Sequence, residues 1–135
     1  MKYTEGIKYR LDEDLEVKLD LKGEFFSGFW MELRTNGIIL LKRGYVWDGA
    51  SGIALDSKYT QEASAVHDAL YRLIRKGVIN KNRRKEIDKE FLRLLLKAID
   101  KMETYTLWDK IKKSALIARS HAWYYAVRIF GRFYV

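Results

Sequence analysis

The apolar period of this chain changes once along its length, and that change fixes the fold class. Leu15, Val17, Leu19 and Leu21 alternate with Glu16, Lys18, Asp20 and Lys22, the period of a strand with one buried face. Further on, Ala63, Val66, Leu70 and Ile74 recur at three- and four-residue spacing, the period of one helix face. Phe29–Arg34 and Ile38–Lys42 flank Asn36-Gly37, which predicts a hairpin closed by a two-residue turn. Tyr45–Trp47 adds a short strand. Helices are predicted over 60–76, 82–102 and 108–130. Strands followed by helices specify an α+β fold: N-terminal antiparallel strands, then three helices packed as an antiparallel unit.

A chain of 135 residues with 48% hydrophobic content suits one domain over 1–135. Its β-rich part is 1–48 and its helical part 60–131, joined through the small-residue loop Asp48-Gly-Ala-Ser-Gly52. No repeat or linker divides it. No apolar run approaches the roughly 18 residues of a membrane span, and the N-terminus lacks the apolar run of a signal peptide. The absence of cysteine excludes disulfides, thiolate nucleophiles and cysteine-ligated metals.

The helical part holds the chemistry-bearing residues. His67 lies within the apolar stripe of the first helix, and Asp68 is rotated about 100° from it, at the border of that face. Gly77 can stop this helix and Asn80 or Asn82 can cap the next. On the second helix Ile87, Phe91, Leu94, Leu95 and Ala98 form the inward stripe, with Asp88 beside it. The short connection predicts antiparallel neighbours. Counting from Val78, His67 lies eleven residues back and Asp88 ten forward, so the two are nearly level across the pair. A His67–Asp88 hydrogen bond is therefore expected.

Charge is unevenly spread. Residues 1–71 hold 9 Lys/Arg against 12 Asp/Glu, and residues 72–135 hold 17 against 6. The basic half can serve as solvated helix faces, or can attract the phosphates of nucleic acid or an anionic lipid surface. In the third helix Ile111, Ala115, Ala118, Ala122, Tyr125 and Ile129 share one face. That stripe, with Trp108, Trp123, Tyr124 and Phe130 nearby, predicts core packing; the competing reading is an aromatic binding platform. Arg128 is either a neutralising partner for the acidic site or a surface arginine.

Four segments together, Gly44-Tyr-Val-Trp-Asp-Gly-Ala-Ser51, Ala65-Val-His-Asp-Ala-Leu-Tyr-Arg72, Arg84–Phe91 and Tyr125-Ala-Val-Arg-Ile-Phe-Gly131, resemble an uncharacterised family of phage and prophage proteins. The resemblance runs through most of 44–131 and implies a viral or prophage origin, location in the host cytoplasm or virion, and phage proteins as partners. More locally, His67-Asp68-x-x-Tyr71, a basic stretch and Asp88-x-x-Phe91 look like the helix pair of secreted phospholipase A₂. That likeness implies His67 as general base, Asp88 orienting it, and Asp68 as a calcium ligand. Further calcium oxygens would come from the Trp47–Gly52 loop, including Asp48, Gly49 and Ser51. The chain departs from that family in lacking its disulfides and its cysteine-glycine calcium-loop pattern.

The chemistry is self-consistent without the likeness. A histidine can take a proton from water when a carboxylate fixes its tautomer. Calcium wants six to eight oxygens, which Asp48, Asp68, loop carbonyls and waters could supply, and could polarise an ester carbonyl. Zinc is disfavoured because His67 and His121 are the only histidines. The competing reading is structural: Asp88 bonds Arg84 one turn earlier, or holds His67 as a core link. Asp48 then caps or closes a turn, and Tyr71, in the catalytic reading a hydroxyl lining the site, is an ordinary core aromatic. The two functions in view are a calcium-dependent lipid esterase and a non-catalytic accessory or virion protein binding nucleic acid, membrane or a partner.

Overall fold

A computed structural model describes residues 3–4, 9–48 and 58–135; Gly49, Ser51 and Gly52 of the predicted loop lie outside them. Among the described residues seven short strands precede three α-helices: β1 (Tyr3–Thr4), β2 (Tyr9–Leu11), β3 (Leu15–Lys18), β4 (Phe26–Ser27), β5 (Met31–Leu33), β6 (Ile38–Leu41), β7 (Val46–Trp47), α1 (Gln61–Arg75), α2 (Arg84–Asp100) and α3 (Leu107–Phe130). The strands form two antiparallel sheets, one ordered β1-β2-β7 and the other β3-β6-β5-β4. This is the α+β order that the change of period predicts.

The alternation at 15–21 holds in burial but only in part in pairing. Leu15, Val17, Leu19 and Leu21 are all buried, yet β3 ends at Lys18. Cross-strand bonds continue at Leu19 N–H to Gly37 O and Gly23 N–H to Thr35 O, at 2.8 and 2.9 Å, but between them the amides of Asp20 and Leu21 donate to the Glu90 carboxylate of α2, at 2.6 and 3.2 Å. The hairpin also differs from expectation. Leu33 pairs with Ile39, and Arg34 with Ile38 through its amide at 2.9 Å. The connection is therefore Thr35-Asn36-Gly37, three residues rather than two. Gly37 takes φ +94° beneath the Leu19 and Leu21 carbonyls, so the turn residue with positive φ is the last of three, as such loops require.

Eleven of the fifteen residues of α1 are buried, which makes it the central helix. It closes in a Schellman motif: Val78 N–H donates to Leu73 O, Gly77 N–H donates to Ile74 O, and Gly77 is left-handed. The Asn80 side chain accepts the Asn82 amide at 3.0 Å and opens the turn into α2. Leu70, Leu73, Ile87, Phe91, Leu94 and Leu95 share one core with Leu33, Ile39 and Leu41 of the sheet.

The third helix departs from the prediction. Only Ser120 and Val127 of its twenty-four residues are buried. The stripe expected in the core faces outward instead: Ile111, Ala115, Ala118, Ala122, Tyr125 and Ile129 are all exposed. The inward face is Leu116, Ser120, Trp123 and Val127, a narrower and less apolar strip. Two apolar faces are present, and the sequence stripe that scores as core is the one left in solvent.

Gly37→Ala is expected to lower stability by at least about 1 kcal/mol, through the positive φ and a Cβ placed 2.5 Å from Leu19 O. A urea melt followed by circular dichroism checks it; an unchanged midpoint rejects this account of the turn.

Candidate functional site

The site is built where α1, α2 and the end of α3 meet. His67 and Tyr71 lie one turn apart on α1, so both face α2. Asp88 sits on α2 at the level the residue count predicts, and its carboxylate is fully buried. His67 Nε2 meets Asp88 Oδ1 at 2.8 Å, and the Tyr71 hydroxyl donates to the same oxygen at 2.6 Å. The other oxygen takes two guanidinium donors: Arg128 Nη1 at 2.8 Å and Arg84 Nη1 at 3.2 Å. Both alternatives for Asp88, the histidine and the arginine one turn earlier, are thus realised on one carboxylate. Arg128 is a neutralising partner and not a free surface residue.

Arg84 does further work. Its guanidinium donates to the carbonyls of Val127 and Arg128 at 3.1 and 3.0 Å. Those belong to the last turn of α3, where Val127 O also accepts the Gly131 amide and the helix dipole favours a cation. Gly131 completes the contact. A Cβ there would lie 2.3 Å from the Tyr71 hydroxyl and 2.9 Å from Arg84 Nη1, so only glycine lets the end of α3 come this close.

Burial pushes the Tyr71 hydroxyl pKa well above its ordinary value, and its hydrogen bond to Asp88 adds to that. Tyr45 is raised in the same way, first by burial and then by the neighbouring Asp68 carboxylate. His67 and Tyr71 rings lie 4.1 Å apart and His67 and Phe91 rings 4.9 Å apart, so the imidazole is walled by aromatics as well as anchored. Its Nδ1 is buried and has no hydrogen-bond partner among the described residues. The same holds for Ser64 Oγ, one turn earlier, and for Trp47 Nε1.

Asp68 takes a different path. It accepts the Tyr45 hydroxyl and pairs with Arg72 Nε at 2.9 Å, while Arg72 Nη2 donates to Val46 O at 2.8 Å. Asp68 therefore ties α1 to the sheet. Asp48 is exposed at the end of β7. Among the described residues no three His, Asp or Glu gather as metal ligands, and Asp68 is already matched by a cation. The described donor set does not fit calcium; Gly49 and Ser51 lie outside it.

Sequence reasoning missed Glu90. It is buried and holds the Asp20 and Leu21 amides while pairing with Arg93 at 2.7 Å. Much of the basic half is likewise committed internally: Arg83 binds Glu24 and Glu86, and Arg93 also reaches Lys18 O at 2.9 Å. These cations neutralise the acidic first half and the helix carboxylates, which leaves fewer for phosphate than the composition suggests.

Two measurements test this geometry. Gly131→Ala is expected to destabilise by about 1–3 kcal/mol through overpacking, and Tyr71→Phe should relieve part of that loss in the double variant. Chemical denaturation of the two singles and the double reads the coupling; strict additivity rejects the contact. The raised tyrosines also set a pH dependence. A hydroxyl whose folded pKa exceeds its unfolded one contributes stability that is intact below about pH 10 and is lost as pH rises above it. The unfolding free energy should fall in that alkaline window, less steeply in a Tyr45→Phe/Tyr71→Phe variant.

No family model, no curated protein and no solved structure matches the chain, so the functional reading rests on its own residues.

Proposed function

We propose that this chain is a phage or prophage hydrolase in which His67 is the general base toward a lipid carboxylic ester. One observation carries the reading: Asp88 occupies Nε2 and leaves Nδ1 without a partner among the described residues. In the neutral imidazole the hydrogen then sits on Nε2 and the lone pair on Nδ1. A buried acceptor with no donor costs about 1–3 kcal/mol, and a water placed to be deprotonated would satisfy it.

Hydrolysis follows in balanced steps. Nδ1 takes a proton from water as its oxygen attacks the ester carbonyl carbon. The imidazolium is held by Asp88 through Nε2–H. Collapse of the tetrahedral intermediate breaks the bond to the leaving oxygen, which receives the proton from Nδ1. Fatty acid and alcohol are released and His67 is restored. The His67 side chain is fully buried, so turnover requires the Nδ1 side to open when substrate binds. Tyr71 and the two arginines hold Asp88 and are positioning residues.

Fatty-acid release from phosphatidylglycerol liposomes, with calcium and with EDTA, tests the reading. Wild-type protein should release fatty acid, and His67→Ala should lower the rate about 10²–10⁴-fold while circular dichroism shows a retained fold. No release by wild type, or equal release by His67→Ala, removes the hydrolase reading. The exposed face of α3 favours a separate binding role, which does not depend on the hydrolytic one.

A further inference from the structure

The outward face of α3 has a regular spacing. Trp108, Ile111, Ala115, Ala118, Ala122, Tyr125 and Ile129 follow one another at intervals of three and four residues, an unbroken 3.5-residue repeat over three heptads. None of the seven is buried, and Trp108, Ile111, Tyr125 and Ile129 are each about half exposed or more. The middle of the seam is three alanines. Small side chains there add little to burial in lipid, but they let a second helix axis approach at the short end of the usual range of about 8–10 Å. Larger residues at both ends would close over such a partner.

The charges flanking the seam select the partner. Lys112 and Arg119 border one side, Lys110 and His121 the other; Arg128 is already committed to Asp88. The only acid in 107–135 is Asp109, and it is engaged in the capping box with Thr106. Among the described residues no ion pair is recorded for Lys110, Lys112 or Arg119. A second copy of α3 would bring the same cations and no carboxylate to the seam. We propose that this face docks an amphipathic helix of another protein, with a bulky apolar seam filling the space over Ala115, Ala118 and Ala122 and carboxylates along its flanks.

The probe is a synthetic three-heptad peptide with leucine at the seam and glutamate at the flanking positions, titrated against the full chain by calorimetry. A matched peptide with lysine at the flanks is the control. The glutamate peptide should bind at least about tenfold more tightly. Ala118→Glu, at an exposed helical position, should abolish binding without changing the melt. Arg119→Glu should weaken the glutamate peptide and strengthen the lysine one. Equal affinity for the two peptides, or wild-type affinity in Ala118→Glu, overturns the proposal. Light scattering and co-sedimentation with anionic vesicles complete the test. A dimer that Ala118→Glu dissociates would assign the face to a second copy, and vesicle binding lost in that variant would assign it to a membrane; either outcome overturns the helix partner.

Discussion

The three helices are held in place by one buried carboxylate. Asp88 has no access to water and is matched by four donors from all three helices: His67 and Tyr71 of α1, Arg84 of its own helix and Arg128 of α3. Taking a carboxylate out of water costs several kcal/mol, and that cost is met only where its lone pairs are filled with good geometry. Such an arrangement tolerates little displacement, because a helix that slides leaves a buried charge short of a partner. The same two arginines explain how α3 is fixed. Arg84 fills the last carbonyls of α3, Gly131 admits the Tyr71 hydroxyl, and no residue from 107 to 119 is buried. The helix is anchored most tightly at its C-terminal end; before it, Leu116, Ser120 and Trp123 turn inward while the opposite face lies in solvent.

His67 and Asp68 are neighbours in sequence but serve different interfaces. The angular step of the helix turns His67 toward α2 and Asp68 toward the sheet, where Tyr45 and Arg72 receive it. A mechanism that asks both to act on one centre must therefore bridge two sides of α1. The base and its orienting carboxylate need no such bridge, since they already face each other across the helix pair. The His67–Asp88 pair and the Asp68 contact are thus two separate devices on two sides of one helix.

What the sequence made legible follows from where local rules dominate. The period change gave the strand-then-helix order, Gly77 marked a helix end by its backbone conformation, and a residue count placed His67 level with Asp88. Each depends on near neighbours or on helix rise alone. The inward face of α3 was not legible, because two apolar stripes compete and the more apolar one, from Ile111 to Ile129, lost. The choice is made by distant residues: Arg128 must reach Asp88 and Gly131 must lie against Tyr71, which orients Val127 inward. Glu90 was hidden for a related reason. A glutamate on a helix reads as surface, and its partners are backbone amides some seventy residues away.

A purely architectural role accounts for most of the cluster but leaves His67 over. Tyr71, Arg84 and Arg128 satisfy Asp88 on both oxygens, and Arg84 also satisfies the end of α3, so each contributes by an interaction it completes. The imidazole completes one hydrogen bond and leaves a second ring nitrogen buried without a partner among the described residues. An apolar side chain of similar size would remove that cost, since replacing buried polar groups by well-packed apolar ones is often neutral or stabilising. Ser64 Oγ and Trp47 Nε1 are left in the same condition, and Trp47 and Ser64 lie on the two elements that residues 49–57 connect in the chain. The proton-accepting role proposed for Nδ1 gives the burial of that nitrogen a physical reason.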